Sequence, residues 1–289
     1  MAADIRRYHL FSRNPRRPGL TVLAAVGVEQ SERAALATKA NCPVIFADIQ
    51  DIERASTQVL GPDGQEIDLP DAAMAAYRLF LARDEVPLKR LRFMLPGGEV
   101  QVQGEYFRSV DNSQVWREAT PPVVRPMRSQ DLSQALGPII GIGREDVLGT
   151  TWLEPGGTPV VAILVSNLAA LKAAKLGKGA ATWVRAHGDI SGDFRYVIMS
   201  PESTSPLSDG HLRLIGSDFS PLPIDGTVAA CGLVAHWSRT PTQMSLTAEI
   251  GDGNTVQGRI SIWVEGQADA PDRLSIAGHV RLGDQADLG

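Results

Sequence analysis

Two segments half a chain apart each place an aspartate where an apolar helix is predicted to begin. Pro70 and Asp71 precede an alanine-rich run, and Pro223 precedes a similar run that starts, after one inserted residue, at Asp225. Aspartate is a preferred N-cap residue because its carboxylate accepts hydrogen bonds from the free amides of the first turn. The alanines that follow predict helices buried too closely for large side chains. Asp71 and Asp225 are thus the acids with matched positions in both halves.

A carboxylate at the start of a buried helix can serve one of two purposes. It can cap the helix and do nothing more, or it can face a cleft and act as a general base. A single base that takes a proton and returns it elsewhere suits a double-bond shift along a conjugated system better than a racemisation. The sequence leaves both roles open for Asp71 and for Asp225.

Three further residues near the second helix start could bind a ligand. Gly226 permits a close approach of the backbone, and the Thr227 hydroxyl can bond to a carboxylate oxygen. Arg213, in the strand predicted before this helix, could add positive charge to the same place. Each also has an ordinary structural alternative, as part of a first helical turn or, for Arg213, as an ion pair at the surface or between the lobes.

The repeat also predicts how the chain is organised. A pattern that recurs at half the chain length indicates two similar lobes related by a pseudo-twofold axis. A proline pair before a polar stretch marks the boundary between lobes 1–122 and 123–289. If the two helix starts face a shared cleft between these lobes, their amides and positive dipole ends favour a carboxylate ligand there.

Hydrophobic patterning predicts the elements that carry these residues. Strands are predicted at 21–26, 44–46, 91–95, 99–103, 160–165, 196–199, 212–215, 259–264 and 274–282, with helices at 31–41, 167–177 and 225–237 beside the one that starts at Asp71. Each half then has several strands and one central buried helix. We therefore expect an α+β fold in which each lobe wraps a mixed, mostly antiparallel sheet around its helix.

Composition argues against several other classes of function. The 289 residues are 43% hydrophobic and 21% charged, as in ordinary globular proteins, and a net charge of −5 leaves no footprint for nucleic acid. No apolar run reaches the length of a membrane span and no secretory leader is visible, so we expect a cytoplasmic protein without a membrane partner. The two cysteines and five scattered histidines lack metal-ligand spacing, and phosphate-binding loops are missing. We therefore expect neither a metal nor a cofactor.

Several runs of the chain resemble one known family. They are Ser31-Glu32-Arg33, Asn41-Cys42-Pro43-Val44-Ile45-Phe46, Pro62 with Glu66-Ile67-Asp68-Leu69, and Pro223-Ile224-Asp225-Gly226-Thr227 ahead of Leu233 and Trp237. In order and spacing they resemble the PhzF-like isomerase family, over nearly the whole chain. The resemblance implies the diaminopimelate-epimerase fold, an active site between the lobes, helix amides that hold a substrate carboxylate, no cofactor, and a homodimer.

The chain departs from the family pattern at the residues that carry protons. The family's glutamate after Asn-x-Ser is missing here, so the resemblance implies that Cys42 and Pro43 line the pocket in its place. The family's Gly-His falls within one residue of Asp71, which leaves Ala72 and Ala73 as the substrate-binding residues of the first helix start. The second motif keeps its glycine and a hydroxyl but loses its leading aspartate.

The resemblance implies a cofactor-independent isomerase that shifts a double bond in a small, unsaturated, carboxylate-bearing metabolite of specialised biosynthesis. Within the family, enzymes that act on alkyl-proline precursors of lincosamide-type or pyrrolobenzodiazepine antibiotics are the subgroup to compare. The lost acid and base residues favour an alternative, a catalytically silent paralogue that binds a small carboxylate or a protein partner. A two-thiol racemase is disfavoured, because Cys231 lies inside its helix and Cys42 is not at the facing position.

Overall fold

The structure, a computed structural model, describes residues 3–12, 19–51, 53–83, 90–104, 114–126, 130–188, 192–239 and 244–283. Its strands are β1 (Asp4–Leu10), β2 (Leu20–Val26), β3 (Val44–Ile49), β4 (Arg54–Leu60), β5 (Arg90–Leu95), β6 (Gly98–Gly104), β7 (Gln114–Ala119), β8 (Val123–Pro126), β9 (Val147–Glu154), β10 (Val160–Val165), β11 (Arg195–Ser200), β12 (Gly210–Ile215), β13 (Ser245–Gly251), β14 (Val256–Gln267) and β15 (Ala270–Leu282). Its helices are α1 (Gln30–Ala40), α2 (Ala72–Ala82), α3 (Gln130–Gln134), α4 (Gly137–Ile140), α5 (Leu168–Ala173), α6 (Lys178–His187) and α7 (Gly226–Trp237). Over these residues, none of the helices has the length and apolar character needed to span a membrane.

The chain divides into two compact units, one formed by Met1–Glu118 with Ala277–Gly289 and the other by Ala119–Ile276. The lobes predicted from the sequence, 1–122 and 123–289, differ from these units in two ways: the boundary lies at Glu118 and Ala119, and the residues from Ala277 onward join the first unit. The second difference arises at β15, whose last residues pair antiparallel with β1 and set Leu282 opposite Tyr8. An alternating pattern predicts that a segment is a strand, but it does not predict which strand becomes its partner.

In the first unit the strands follow the order β1-β2-β3-β4-β5-β6-β7. Neighbouring strands are antiparallel except for β2 with β3 and β4 with β5, which are parallel and are connected through α1 and α2. The α2 helix packs against β1, β2, β3 and β6. Its residues from Ala72 to Phe80 are all buried. The predicted mixed sheet around a central, small-residue helix is confirmed for this unit.

The second unit repeats this plan in the order β8-β9-β10-β11-β12-β13-β14-β15. Here β10 with β11 and β12 with β13 are the parallel pairs, and α7 packs against the strands from β9 to β14. A Cβ added at Gly232 of α7 would come within 2.7 Å of Val197 and 2.9 Å of Leu212. Helix and sheet therefore approach too closely for a side chain at this position, as the sequence predicts for a central helix.

The internal repeat extends beyond the two helix starts. Strands β1 to β7 with α2 correspond in order and direction to β9 to β15 with α7. The turn before each central helix recurs as well, since an isolated antiparallel bridge joins Leu60 to Glu66 in one unit and Ile215 to Pro221 in the other. These bridges fix which residues of the two units are equivalent.

The repeated turn shows how the two copies have diverged. Gly64 has a left-handed φ of 75° in the first unit, and Phe219 has a φ of 68° in the second. Glycine adopts this conformation freely, whereas a bulky residue pays about 1–3 kcal/mol of strain. The ring of Phe219 lies 6.2 Å from that of Tyr196, and this aromatic contact offsets part of the strain.

One predicted helix is shorter than expected. The Asn167 side chain caps α5 by accepting a hydrogen bond from the Ala170 amide over 2.8 Å, as predicted. The helix ends at Ala173 because Ala174 is extended, and the separate helix α6 follows it. Helix α6 was not predicted from the sequence.

Candidate active site

Asp225 caps helix α7, as the sequence predicts. Its backbone is extended, with φ −127° and ψ 112°. Oδ1 accepts hydrogen bonds from the amides of Thr227 at 2.9 Å and Val228 at 3.0 Å. Gly226 is buried and Thr227 is half-buried directly after the cap. Asp225, Gly226 and Thr227 therefore lie in one turn, but two amides that could serve a ligand are already bonded to Asp225.

The second oxygen of Asp225 binds an arginine that was not predicted as a site residue from the sequence. Nη1 of Arg195 donates to Oδ2 of Asp225 over 2.6 Å, which forms an ion pair. Arg195 is the first residue of β11, and Val197, two positions along, lies against Gly232 of α7. Residues two apart on a strand share a face, so Arg195 points toward the same helix. This alternation is the signal that could have identified Arg195 from the sequence.

The ion pair at the start of α7 is open to solvent. The exposed fraction of the side chain is 38% for Arg195 and 26% for Asp225. Two amide donors and one guanidinium donor stabilise the ionised form of the Asp225 carboxylate. A small anionic solute can therefore reach a cation at this helix start, next to a charged carboxylate.

The matched acid in the first unit has a different environment. Asp71 is helical, with φ −63° and ψ −26°, and its side chain does not cap α2. Nε of Arg117 donates to Oδ1 of Asp71 over 2.6 Å, and both side chains are only 2% exposed. The predicted cap at Asp71 is wrong for a local reason. A turn precedes α2, so the amides of Ala72 and Ala73 donate to backbone carbonyls and not to the carboxylate.

Ala72 and Ala73 were predicted as substrate-binding residues through their amides. The amide of Ala72 donates to the Leu69 carbonyl over 3.0 Å, and that of Ala73 donates to the Pro70 carbonyl over 3.2 Å. Both side chains are fully buried. For these amides to bind a substrate, they would first have to leave their present partners.

Cys42 and Pro43 precede β3 in the first unit, where both are half-buried. Cys42 packs against a hydrophobic cluster that also contacts α1; this cluster consists of Leu23, Ala25, Val28, Ala37, Val44, Phe46 and Leu60. Burial raises the pKa of the Cys42 thiol. In this environment Cys42 packs as a small hydrophobic residue.

Arg213 lies on β12, but its side chain binds at the end of helix α5 and not next to Asp225. Its Nη1 donates to the carbonyl of Ala174 over 2.8 Å, and the Leu171 carbonyl lies 3.5 Å away. These carbonyls end helix α5, where a cation satisfies free acceptors and the negative end of the helix dipole. Arg213 therefore binds backbone carbonyls, which is neither the predicted ligand contact nor the ion pair given as its alternative.

The geometry disfavours a thiol base. Cys231 is fully buried within α7, and burial together with the charge of Asp225 raises the pKa of its thiol. A thiol that stays protonated is a poor base. Among the residues that the structure describes, no group of three histidine, cysteine or acidic side chains is arranged to hold a metal ion.

A second polar cluster crosses four strands of the second unit. Ser200, His211, Glu249 and Arg259 stand opposite one another on β11, β12, β13 and β14. Nδ1 of His211 lies 3.4 Å from Oε2 of Glu249, and Nη2 of Arg259 lies 3.5 Å from Oε1. The amide and hydroxyl of Thr204 donate to Glu249 over 2.8 and 2.7 Å. His211 is completely buried, so the cluster is structural in this conformation.

This cluster predicts a loss of stability in mild acid. Burial lowers the pKa of His211 below its usual 6.5, although Glu249 acts in the opposite direction. The unfolded chain therefore binds a proton that the folded protein resists, and stability falls as the pH drops below about 6.5. One such group contributes at most about 1.4 kcal/mol per pH unit. Denaturant titrations at pH 7.5, 6.5 and 5.5 should show a steeper loss for the wild type than for His211→Leu.

Burial also lowers the pKa of His236, so that residue supplies the control. The variant His236→Gln should remove the part of the pH dependence of stability that His236 contributes and leave the part that His211 contributes. Identical slopes for wild type and His211→Leu would contradict the prediction.

No protein-family model matches the chain, and no curated protein matches it in sequence. Solved structures match over almost the full length. A phenazine biosynthesis protein of the PhzF family from Bacillus anthracis has a TM-score of 0.74 and 16% identity, with 99% of each chain covered. A predicted epimerase from Pseudomonas aeruginosa has a TM-score of 0.66 and 12% identity, with 99% of this chain and 98% of that chain covered.

A more distant match carries a ligand. It is a hydroxyproline epimerase from Agrobacterium vitis with bound trans-4-OH-L-proline, at a TM-score of 0.53 and 13% identity, with 96% of this chain and 88% of that chain covered. At such identities the likeness establishes the fold. The diaminopimelate-epimerase fold that the sequence resemblance implied is therefore confirmed.

Proposed function

We propose that the protein is an isomerase that moves a proton within a small, unsaturated metabolite carrying a carboxylate. Asp225 is the proposed base, and Gly226 and Thr227 form the adjoining binding surface. The observation that carries this proposal is the accessibility of Asp225, which is 26% exposed at the start of a buried helix, whereas its counterpart Asp71 is 2% exposed. The proposal therefore places the chemistry in the second unit, with Asp71 in a structural role.

The fold supports the class of reaction. Its structural relatives include proteins described as epimerases, and one of them holds trans-4-OH-L-proline. Epimerisation and a double-bond shift share their first step, the removal of a proton from carbon. The finer proposal is a double-bond shift in an alkyl-proline precursor of an antibiotic, in a cytoplasmic homodimer.

The proposed reaction is complete with one base. Asp225 takes a proton from a saturated carbon beside the double bond, and the C–H electron pair forms the new double bond. The electron pair of the old double bond then takes the proton back from Asp225 at its far carbon. Substrate and product have the same composition, and no oxidant, reductant or co-reactant is consumed. Independence from a cofactor is proposed on this ground.

One observation favours the alternative of a silent paralogue. Asp225 already accepts hydrogen bonds from two amides and from Arg195, which favours its ionised form and weakens it as a base. A protein of this second kind would bind a small carboxylate without turning it over.

Solvent exchange distinguishes the two functions. The protein is incubated in D2O with trans-4-OH-L-proline and with ring-unsaturated and alkylidene proline derivatives, and carbon-bound deuterium is followed by NMR. An isomerase should incorporate deuterium at the reacting carbon or convert one double-bond isomer into another. Saturable binding without exchange would support the silent paralogue.

The variant Asp225→Ser supplies the negative control for this experiment. Serine retains an N-cap acceptor for the first turn of α7, but it has no carboxylate to take a proton. Exchange that continues at the wild-type rate in this variant would contradict the assignment of Asp225 as the base.

A further inference from the structure

The start of α7 has fewer free amides for a substrate than a helix N-terminus normally offers. The amides of Thr227 and Val228 both donate to Oδ1 of Asp225. The negative charge of Asp225 also repels a second carboxylate brought close to the same amides. A carboxylate-bearing substrate therefore needs a separate cation at this place.

Arg195 supplies a cation with donors to spare. A guanidinium carries five N–H groups in a planar fork. Among the described residues, the Arg195 side chain makes one hydrogen bond, from Nη1 to Asp225. The side chain is 38% exposed, so part of it is accessible to a solute.

The position of Arg195 is peculiar to the second unit. The bridges at Leu60 and Ile215 make these two residues equivalent, and they pair with Val44 and Tyr196 respectively. The residue that precedes Val44 in the first unit is Pro43, and the residue that precedes Tyr196 in the second unit is Arg195. Because proline carries no charge, the repeated fold does not require a cation at this position.

The arginine that pairs with Asp71 has another origin and another environment. Arg117 comes from β7, a strand that does not correspond to β11, and its side chain is 2% exposed. Both helix starts thus have an aspartate–arginine pair at 2.6 Å, but a solute can reach only the pair at α7 without disturbing the core. Burial fits Arg117 for a structural role, and exposure fits Arg195 for binding.

We infer that Arg195 binds the substrate carboxylate through its Nε and Nη2 edge while Nη1 holds Asp225, which restricts the site to ligands with a free carboxylate. Two parallel N–H···O bonds to one carboxylate are the arrangement for which the guanidinium is shaped. One guanidinium then contacts both carboxylates, and the carbon next to the bound carboxylate lies on the side of Asp225. This inference rests on the proposed function for the identity of the ligand as a substrate.

Ligand binding tests the inference without requiring turnover. Wild-type protein is titrated with trans-4-OH-L-proline and with its methyl ester, and binding is followed by calorimetry and by NMR line broadening. The acid should bind with saturation and the ester at least about 10-fold more weakly, because it lacks the charge that pairs with the guanidinium. In Arg195→Gln the affinity for the acid should fall by about 10- to 100-fold, with little change for the ester.

Two variants separate binding from structure. Arg195→Lys keeps the charge but loses the fork, so it should recover part of the affinity for the acid. Arg185→Gln removes an arginine of α6 that lies over the Phe194 ring, and it should bind like the wild type. Absence of carboxylate-dependent binding in the wild type, or equal binding by wild type and Arg195→Gln, would overturn the inference.

The outcomes also distinguish this inference from the proposed function. Carboxylate-dependent binding that needs Arg195, without any deuterium exchange, would support the inference and contradict the isomerase. Exchange activity whose KM is unchanged in Arg195→Gln would support the isomerase and overturn the inference.

Discussion

Replacing Asp225 is expected to lower kcat by roughly two to four orders of magnitude, the range in which a general base contributes to catalysis. The variant of choice is Asp225→Ser, because the serine hydroxyl retains a cap for the amides of Thr227 and Val228. Asp225→Asn is less clean, since its amide group would place a donor against either the helix amides or Nη1 of Arg195. The measurement is the initial rate of proton exchange or isomerisation over a range of substrate concentrations, which separates kcat from KM.

Measuring the stability of the same variants tests whether activity is lost only because the protein unfolds. The ion pair of Asp225 is partly exposed, so its loss should cost no more than about 1 kcal/mol of unfolding free energy. A large fall in kcat with an almost unchanged melting temperature would therefore assign a chemical role to Asp225. Turnover close to that of the wild type in Asp225→Ser would remove Asp225 from the mechanism and leave it as a helix cap.

The sequence predicts the repeat because the repeat rests on local signals. A proline and an aspartate before a run of small apolar residues specify a buried helix with little help from the rest of the chain. The buried strand β10 is also predicted well, because it is apolar throughout and matches the predicted strand at 160–165. Strands such as β4 and β7 were not predicted, because charged and polar residues interrupt their apolar pattern.

The sequence predicts the candidate site less well because the site depends on pairing over long distances. Asp71 and Asp225 have similar surroundings in the sequence, yet the backbone of Asp71 is helical and its side chain does not cap α2, whereas Asp225 is extended and caps α7. Arg195 and Arg213 are both strand residues of the second unit, and their alternation along the strands, together with strand register, shows that Arg195 faces α7. The local sequence pattern therefore identifies the two aspartates, whereas their arginine partners can be identified only once the pairing of distant strands is known.

Removing either partner of the Asp71–Arg117 pair is expected to lower the unfolding free energy more than removing either partner of the Asp225–Arg195 pair. Both pairs have a distance of 2.6 Å, but the first is 2% exposed on each side. Removing one partner of a buried ion pair leaves a charge without compensation in a medium that solvates it poorly, which costs about 3–5 kcal/mol. Asp71→Asn and Arg117→Met should each lower the unfolding free energy by about that amount in denaturant titrations.

A double variant separates the cost of an unpaired charge from the value of the pair. Because Asp71→Asn with Arg117→Met removes both charges, it should recover a large part of the stability lost in either single variant. The matched double variant at the accessible pair, Asp225→Ser with Arg195→Gln, should show losses near 1 kcal/mol and little coupling, because water solvates whichever charge remains. Similar losses of unfolding free energy at the two pairs would contradict this account. The difference in burial would then give no reason to assign Asp71 a structural role and Asp225 a chemical one.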